Sequence, residues 1–304
     1  MFDVIIIGAG ISGTYLAKIL KKKKITVLII DKSKSLGGRF STKPVGSGIA
    51  DYGCQYISPK SEILKHLMLD LFKKKLLKEI KIEENKRVYI CPYGLNKIPF
   101  FLSLGVSSVT NQKVCELTRL KNHWEIKTNF QSFYAQTVVL TAPINQSAEI
   151  LEISNINHLP LPKANYNSFY SLTFSASKKL NNKIVHFEKD YPWICSNNGK
   201  GILNDNFIYT VNTSNDKSQE LFKMNASDRT VKILSDMKNI GFSSIDNLGI
   251  HFWKYGFTYD QNNVNYIYDD NLKIGLCGDS FSIGKVDGSV ISANGLGNQI
   301  VSNF

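Results

Sequence analysis

Asp3-Val4-Ile5-Ile6-Ile7-Gly8-Ala9-Gly10-Ile11-Ser12-Gly13 is the segment whose residue types and spacing point most directly to chemistry. Asp31 closes a second apolar run, Ile25 to Ile30. A short buried strand, a glycine turn, a helix and a second strand ending in an acid make a dinucleotide-binding βαβ fingerprint. Gly8 permits the tight turn, Gly10 lets backbone approach a pyrophosphate, and Gly13 lets the helix lie close on the strand. The turn residues Ala9, Ile11 and Ser12 then border phosphates at a helix N-terminus, where free N–H groups and the helix dipole favour anions. Asp31, followed by Lys32, is placed to accept hydrogen bonds from a ribose hydroxyl.

Residues further along specify the nucleotide. Gly37-Gly38-Arg39 follows the acid, similar to the double glycine and arginine that in many flavoproteins wrap the chain back along the pyrophosphate, where Arg39 would supply a charge-assisted contact. Near the other end, Lys273 to Cys277 reads as a short buried strand followed by Gly278-Asp279, and Asp287-Gly288-Ser289 opens a last helix. Asp279 suits ribityl hydroxyls. The N-terminus of the last helix suits the pyrimidine edge of a flavin, where reduction places negative charge. One nucleotide-facing motif at each end of the chain implies one extended FAD.

These residues resemble the flavin monoamine oxidase superfamily and, within it, the small renalase-like proteins. The resemblance is carried by Gly8–Gly13, Gly37-Gly38-Arg39, Asp51-x-Gly53-x-Gln55-Tyr56, Cys277-Gly278-Asp279 and Asp287-Gly288. Weaker echoes are Pro92-Tyr93-Gly94-Leu95-Asn96, Thr141-Ala142-Pro143, Trp193-Ile194 and His251 to Tyr255. The resemblance implies that Gln55 and Tyr56 lie under or beside the flavin ring. It also implies that Val114 brings backbone to the adenine and that the Thr141 turn lies near the flavin. Trp193, His251, Trp253 and Tyr255 are candidates for a substrate pocket, with core packing as the alternative. In a strand His251, Trp253 and Tyr255 share one face, Phe252 and Lys254 the other; we assign the first face to the pocket. The superfamily's covalent flavin uses a cysteine near the C-terminal end. Cys277 falls within a buried strand, so non-covalent FAD is expected.

By the same resemblance, the activity is a renalase-type oxidation. Misformed 2- and 6-dihydronicotinamide isomers of NAD(P)H would yield a hydride to flavin N5, leaving NAD(P)+, with oxygen reduced to hydrogen peroxide. Aromatisation drives that step, so no strong base is needed. Flavin amine oxidase chemistry and an isoprenoid desaturase-like activity are the flavin alternatives. A flavin-binding protein without turnover and a nicotinamide-only dehydrogenase are further readings.

Composition agrees with a globular chain: 304 residues, 43% hydrophobic. No apolar run approaches the roughly 18 residues of a membrane span, and Val4 to Ile7 is too short for a signal-peptide core. The five cysteines are odd in number and lack paired metal spacing. The five histidines are scattered, and no Gly-x-Ser-x-Gly elbow is present. Reduced thiols in a cytoplasm and no metal are expected. The net charge of +12 arises largely from lysines 21–24 and 73–75 with Lys78, read as solvated helix ends. No helix-turn-helix, zinc or aromatic–basic array points to nucleic acid. The expected partner is a small-molecule substrate, possibly a dinucleotide drawn in by the basic field, without stable membrane insertion. Oligomeric state is not legible.

The fold class expected is α/β: an FAD-binding Rossmann-type (glutathione-reductase-like) domain with a mixed-sheet α+β substrate domain. Residues 1–60, 97–146 and 271–304 are assigned to the first, 61–96 and 147–270 to the second. Ser61 to Glu79 has one-faced apolar periodicity with Ser61 as N-cap, and Asn96 to Leu104 reads as a helix. Lys86 to Cys91, Lys113 to Leu120, Trp124 to Thr128 and Ala135 to Leu140 read as strands. So do Phe169 to Ala176, Ile184 to Phe187, Pro192 to Cys195, Phe207 to Asn212 and Leu248 to Tyr255, with one clear helix at Asp228 to Ile240. Asn181-Asn182 and Asn197-Asn198-Gly199 mark turns.

Overall fold

The N-terminal apolar run becomes β1 (Phe2–Ile7), whose last four residues are buried, as a central parallel strand with both faces covered requires. The computed structural model describes residues 1–83, 86–177, 185–186, 189–202, 207–242 and 244–304. The chain continues through α1 (Ile11–Lys22), β2 (Val27–Ile30), the hairpin β3 (Thr42–Val45) and β4 (Gly48–Asp51), and α2 (Glu62–Lys73). Then come β5 (Lys78–Glu83), β6 (Lys86–Ile90), α3 (Lys97–Leu102), β7 (Ser107–Val109), β8 (Val114–Arg119), β9 (Trp124–Thr128), β10 (Ser132–Leu140) and α4 (Ile144–Ile153). The second half comprises β11 (Tyr166–Ala176), β12 (Val185–His186), β13 (Trp193–Ser196), β14 (Phe207–Asn212), α5 (Asn215–Phe222), α6 (Ala226–Ile240), β15 (Ile245–Thr258), β16 (Ile267–Asp269), β17 (Ile274–Leu276) and α7 (Lys285–Ser302).

Among the described residues, the main sheet runs β16-β17-β10-β1-β2-β7, with β9 and β8 branching from β10. Strands β17, β10, β1, β2 and β7 are parallel. Ile6 pairs with Val139 on one side and Ile29 on the other. Side chains of alternate parity fill two cores, one against α1 and α7, the other against β8, β9 and α4. The second sheet, β12-β13-β14-β11-β15, is antiparallel. Its Tyr170, Leu172 and Phe174 pack with Leu221, Ile233 and Met237 of α5 and α6. The opposite face of β11, bearing Ser171 and Thr173, turns away from the helices, so alternation sorts an apolar face from a polar one. An α/β Rossmann-type unit joined to a mixed α+β unit is thus the fold class. The main sheet reaches back to Ile267, ahead of the expected boundary at 271.

The helix expected over 61–79 ends at Lys73. Lys75 adopts φ 60°, Lys75 N donates to the Phe72 carbonyl and Leu76 N to the Leu71 carbonyl, a left-handed helix stop. Leu76 and Leu77 extended the apolar periodicity because they enter the same core from the following loop. Ser61 does cap α2, its Oγ accepting from Leu64 N at 3.3 Å. Helices α4 and α5 and strand β7 were not anticipated; each is short and lacks a long one-faced stripe. Of the strand expected over 184–187, residues 185–186 form β12. Residues 184 and 187 lie outside the described residues, as does the turn expected at 181–182. No helix among the described residues is long and apolar enough to cross a membrane.

Candidate flavin site

The glycine turn is held by backbone and by one hydroxyl. Gly8 adopts φ 114°, and a Cβ on Gly13 would fall onto the Gly8 carbonyl oxygen, so α1 reaches the turn only with glycine there. Thr141 Oγ1 donates towards the carbonyls of Ile7 and Gly8, at 3.1 and 3.0 Å, bracing the turn from β10's end. Gly10 is the N-cap of α1, and nothing lies within 4 Å of where its Cβ would be. The first amides of α1, at Ile11, Ser12 and Gly13, precede any intrahelical partner. Asp31 ends β2, its Oδ2 accepting from Ala9 N at 2.6 Å and its Oδ1 from Ser33 N at 2.7 Å. Lys32 reaches away from that carboxylate to Gln146 Oε1, 3.1 Å. Gly37 N donates to the Ala9 carbonyl, and Gly38 (φ 54°) lies against Gly10 Cα. The chain therefore folds back along the glycine turn. An open cradle beside Gly10, a helix N-terminus and an acid at the end of β2 fit a dinucleotide.

Arg39 and Asp279 meet directly. Arg39 Nη1 donates to Asp279 Oδ2 at 2.6 Å and Nη2 to Oδ1 at 2.7 Å, a two-pronged ion pair. Tyr166 OH donates to Asp279 Oδ1 at 3.3 Å and lies 2.7 Å from Ser280 Oγ. Burial opposes the Arg39 charge, but Asp279 leads the groups that hold its pKa above the ordinary value. Burial and the Asp279 charge push the Tyr166 phenol up to about 12. Gly278 N donates to Ser292 Oγ of α7 at 3.1 Å. A Cβ on Gly288 would come within 2.6 Å of the Phe281 carbonyl oxygen, and Ser289 Oγ donates within its own helix to Lys285 O. Glycine at 288 lets α7 lie close on the 278–284 loop. Asp287 ties that helix to the start of α2, accepting from Lys60 N, Ser61 N and Ser61 Oγ at 3.0, 2.7 and 2.7 Å. Val114 begins β8 with its side chain in the core.

The segment 51–56 connects the two sheets. Gln55 is buried, and its Nε2 donates to the carbonyls of Asp51 and Gly53 at 2.9 and 3.2 Å. Tyr56 lies beside Trp193, ring centroids 5.9 Å apart. Tyr52 stacks on Trp253 at 5.5 Å and meets the edge of His251 at 5.1 Å, while Trp253 Nε1 donates to the Tyr52 carbonyl at 2.8 Å. Tyr255 packs edge-on to Tyr166, 5.5 Å away. On the opposite face Phe252 joins Tyr170 and Phe222, in the helix-covered core. Cross-sheet register places Trp193, Asn212, Ser171 and His251 in one row, which puts them on one face.

Three residues of this region had no assigned role in the sequence. Lys200, with 0% exposure, inserts from the loop after β13 and contacts Asp51 Oδ2, the Gln55 carbonyl and Gln55 Oε1 at 3.1, 3.2 and 3.2 Å. Burial alone would lower its pKa; the Asp51 charge leads the effects that raise it. Tyr52 fills the space under Trp253. Lys43 stands 5.0 Å over the Tyr52 ring, half-buried, with burial lowering its pKa. Burial, then the Lys43 charge, lowers the His251 pKa. The motif residues Asp51 and Gly53 flagged this turn, but no local pattern marks a lysine that becomes fully buried. Cys54 is half-buried, its thiol pushed up to about 11, chiefly by desolvation, and burial pushes Cys277 up as well. Among the described residues no cluster of histidines, cysteines and carboxylates could hold a metal.

Known proteins resemble the chain in two ways. Residues 6–71 match the family model for an NAD(P)-binding Rossmann-like domain. A flavin-containing amine oxidase of Oncorhynchus mykiss is 35% identical over 88 residues, 29% of this chain and 16% of that protein. Flavin-containing amine oxidase A of Bos taurus is 33% identical over 89 residues, with the same coverage. The similarity thus spans about a sixth of the relatives' length. Solved structures match across the whole chain. A protein described as a protoporphyrinogen oxidase from Exiguobacterium sp. 255-15 has a TM-score of 0.77, 13% identity, and coverage of 100% of this chain and 99% of its own. Cyclohexylamine oxidase from Brevibacterium oxydans IH-35A gives 0.69 and 12% identity, covering 99% of each chain. The chain has the fold of these oxidases throughout.

Proposed function

We infer that the protein is an FAD-dependent oxidoreductase oxidising 2- and 6-dihydronicotinamide isomers of NAD(P)H, the renalase-type reaction. Bound along the glycine turn, FAD would supply a two-electron acceptor. The α1 N-terminus would meet its phosphates and Asp31 a ribose. The Arg39–Asp279 pair would lie along the chain that links the two ends of the cofactor. Gln55 and Tyr56 would border the ring, with His251, Trp253, Tyr255 and Trp193 above it. The raised thiol pKa values of half-buried Cys54 and buried Cys277 support non-covalent retention, because a thiolate is the species that attaches.

The observation that carries the substrate class is Lys43 above the Tyr52–His251–Trp253 aromatic group. A flat, neutral dihydropyridine suits stacked rings, and a cation beside them favours the anionic remainder of a dinucleotide. The same cation disfavours an alkylammonium. Amine oxidation is the second reading, supported by the names of the relatives and structural neighbours. The deciding experiment is anaerobic. Chemically reduced NAD containing the 2- and 6-dihydro isomers is mixed with the yellow protein, with ordinary NADH as control. Bleaching by the isomers alone is expected; bleaching by amines instead would replace this reading with the second.

A further inference from the structure

Folding gathers the two lysine runs onto one face. Lysines 21–24 end α1 and lysines 73–75 end α2; all seven are exposed. The two helix ends adjoin α3: Lys21 Nζ donates to the Leu104 carbonyl at 2.8 Å, and Lys74 Nζ lies 5.4 Å over the Phe101 ring. Asp70 links α1 to α2, 3.6 Å from Lys18 and 3.0 Å from Lys74. Among the described residues it is the only carboxylate ion-paired with these lysines. Exposed apolar side chains stand on the same elements: Leu69 at 44% and Phe72 at 45% on α2, Phe100 at 55% on α3 and Leu104 at 49% just beyond it. Phe100 lies in α3 and Leu104 in the turn that ends it, Leu104 N donating to the Phe101 carbonyl at 3.4 Å. Phe100 and Leu104 flank the α3 turn that Lys21 and Lys74 contact, so charge and exposed apolar surface meet there.

We propose that this face, formed by the ends of α1 and α2 with α3, docks on an anionic phospholipid surface. The lysines meet the headgroup charge, each contributing over about a Debye length, and Phe100 and Leu104 enter the acyl boundary. The apolar members favour a bilayer over duplex nucleic acid, which takes the charge on its backbone but accepts Phe and Leu side chains only by unstacking bases. The docking proposed is peripheral; no helix among the described residues is long and apolar enough to cross a membrane.

The full chain is sedimented with vesicles of phosphatidylcholine alone and of phosphatidylcholine with phosphatidylserine. Binding to the second only, released by salt, is expected. Lys22→Gln with Lys23→Gln should weaken it about thirtyfold, and Phe100→Ser with Leu104→Ser about tenfold or more. All four positions are exposed, so both variants should keep the parent unfolding midpoint. If either does not, the salt and lipid dependence of the unsubstituted chain decides. No sedimentation with phosphatidylserine vesicles overturns the proposal. So does undiminished vesicle binding by the Phe100→Ser, Leu104→Ser variant accompanied by equal affinity for random duplex DNA, which would mark a surface for any polyanion.

Discussion

Lys200 and Asp51, 149 positions apart in sequence, form a fully buried ion pair, Nζ to Oδ2 3.1 Å, that joins the second sheet's loop to the segment carrying Gln55 and Tyr56. The pair is embedded in further bonds. Asp51 Oδ1 accepts from Thr42 Oγ1 and Leu95 N at 2.6 and 2.9 Å, and its carbonyl accepts from Thr210 Oγ1 at 2.7 Å. Removing one partner strands a charge in a low-dielectric interior. Lys200→Met should therefore cost about 3–5 kcal/mol in urea unfolding. Because folding raises the Lys200 pKa, its contribution is fully present below the ordinary value of 10.5 and lost as pH rises through the folded value. The gap between parent and variant should be constant at neutral pH and close only in strong alkali. A gap under 1 kcal/mol at pH 7 would mean the pair has little net effect on stability.

Arg39 and Asp279 come from opposite ends of the chain and close on each other between the glycine turn and the second sheet. Among the described residues, Asp279→Ala leaves the guanidinium only the Gly256 carbonyl, 3.3 Å from Nη1, to accept from it. FAD retention after dialysis, read from visible absorbance per protein, should fall at least about tenfold, equivalent to one charge-assisted bond. Full retention would remove Asp279 from the cofactor site.

His251 is kept neutral by burial and by Lys43. Its depressed pKa contributes stability that is present above the ordinary value of 6.5 and lost as pH falls through the folded value. His251→Gln should flatten the acid limb of the stability profile below pH 6.5. An unchanged limb would show that other groups set it.

Gly13→Ala forces a methyl group onto the Gly8 carbonyl, so α1 must move off the turn. A loss of about 1–3 kcal/mol in stability is expected, together with loss of bound flavin. Gly10→Ala meets open space in the protein alone, so it should spare stability while still weakening flavin retention. Equal stability losses for the two variants would contradict this geometry.

Local patterns carried the first βαβ unit far. Strand, turn, helix and acid lie within 31 residues, and the constraints on Gly8, Gly13 and Asp31 are local ones that spacing exposes. The periodicity at 61–77 was equally visible, yet its end was not. Apolar residues after Lys75 belong to the same core without belonging to the helix, and periodicity reports burial, not the element that achieves it. Alternation placed His251, Trp253 and Tyr255 on one face, but both faces of that strand are aromatic. Only packing against Tyr52 and Tyr166 on one side, and Phe222 on the other, distinguishes them.

Contacts between distant segments lay beyond any local pattern. Lys200 is one lysine among many in a basic chain, and its burial depends on Asp51 lying within 3.1 Å. Lys43, an ordinary strand residue in sequence, acquires a role because Tyr52 and His251 stand beside it. The lysines at 21–24 and 73–75 are legible as helix ends, but their convergence on α3 depends on how three helices pack. A sequence specifies which groups prefer to be buried, paired or left-handed over a few residues. Which distant groups satisfy those preferences is decided only when the sheets and helices close on one another.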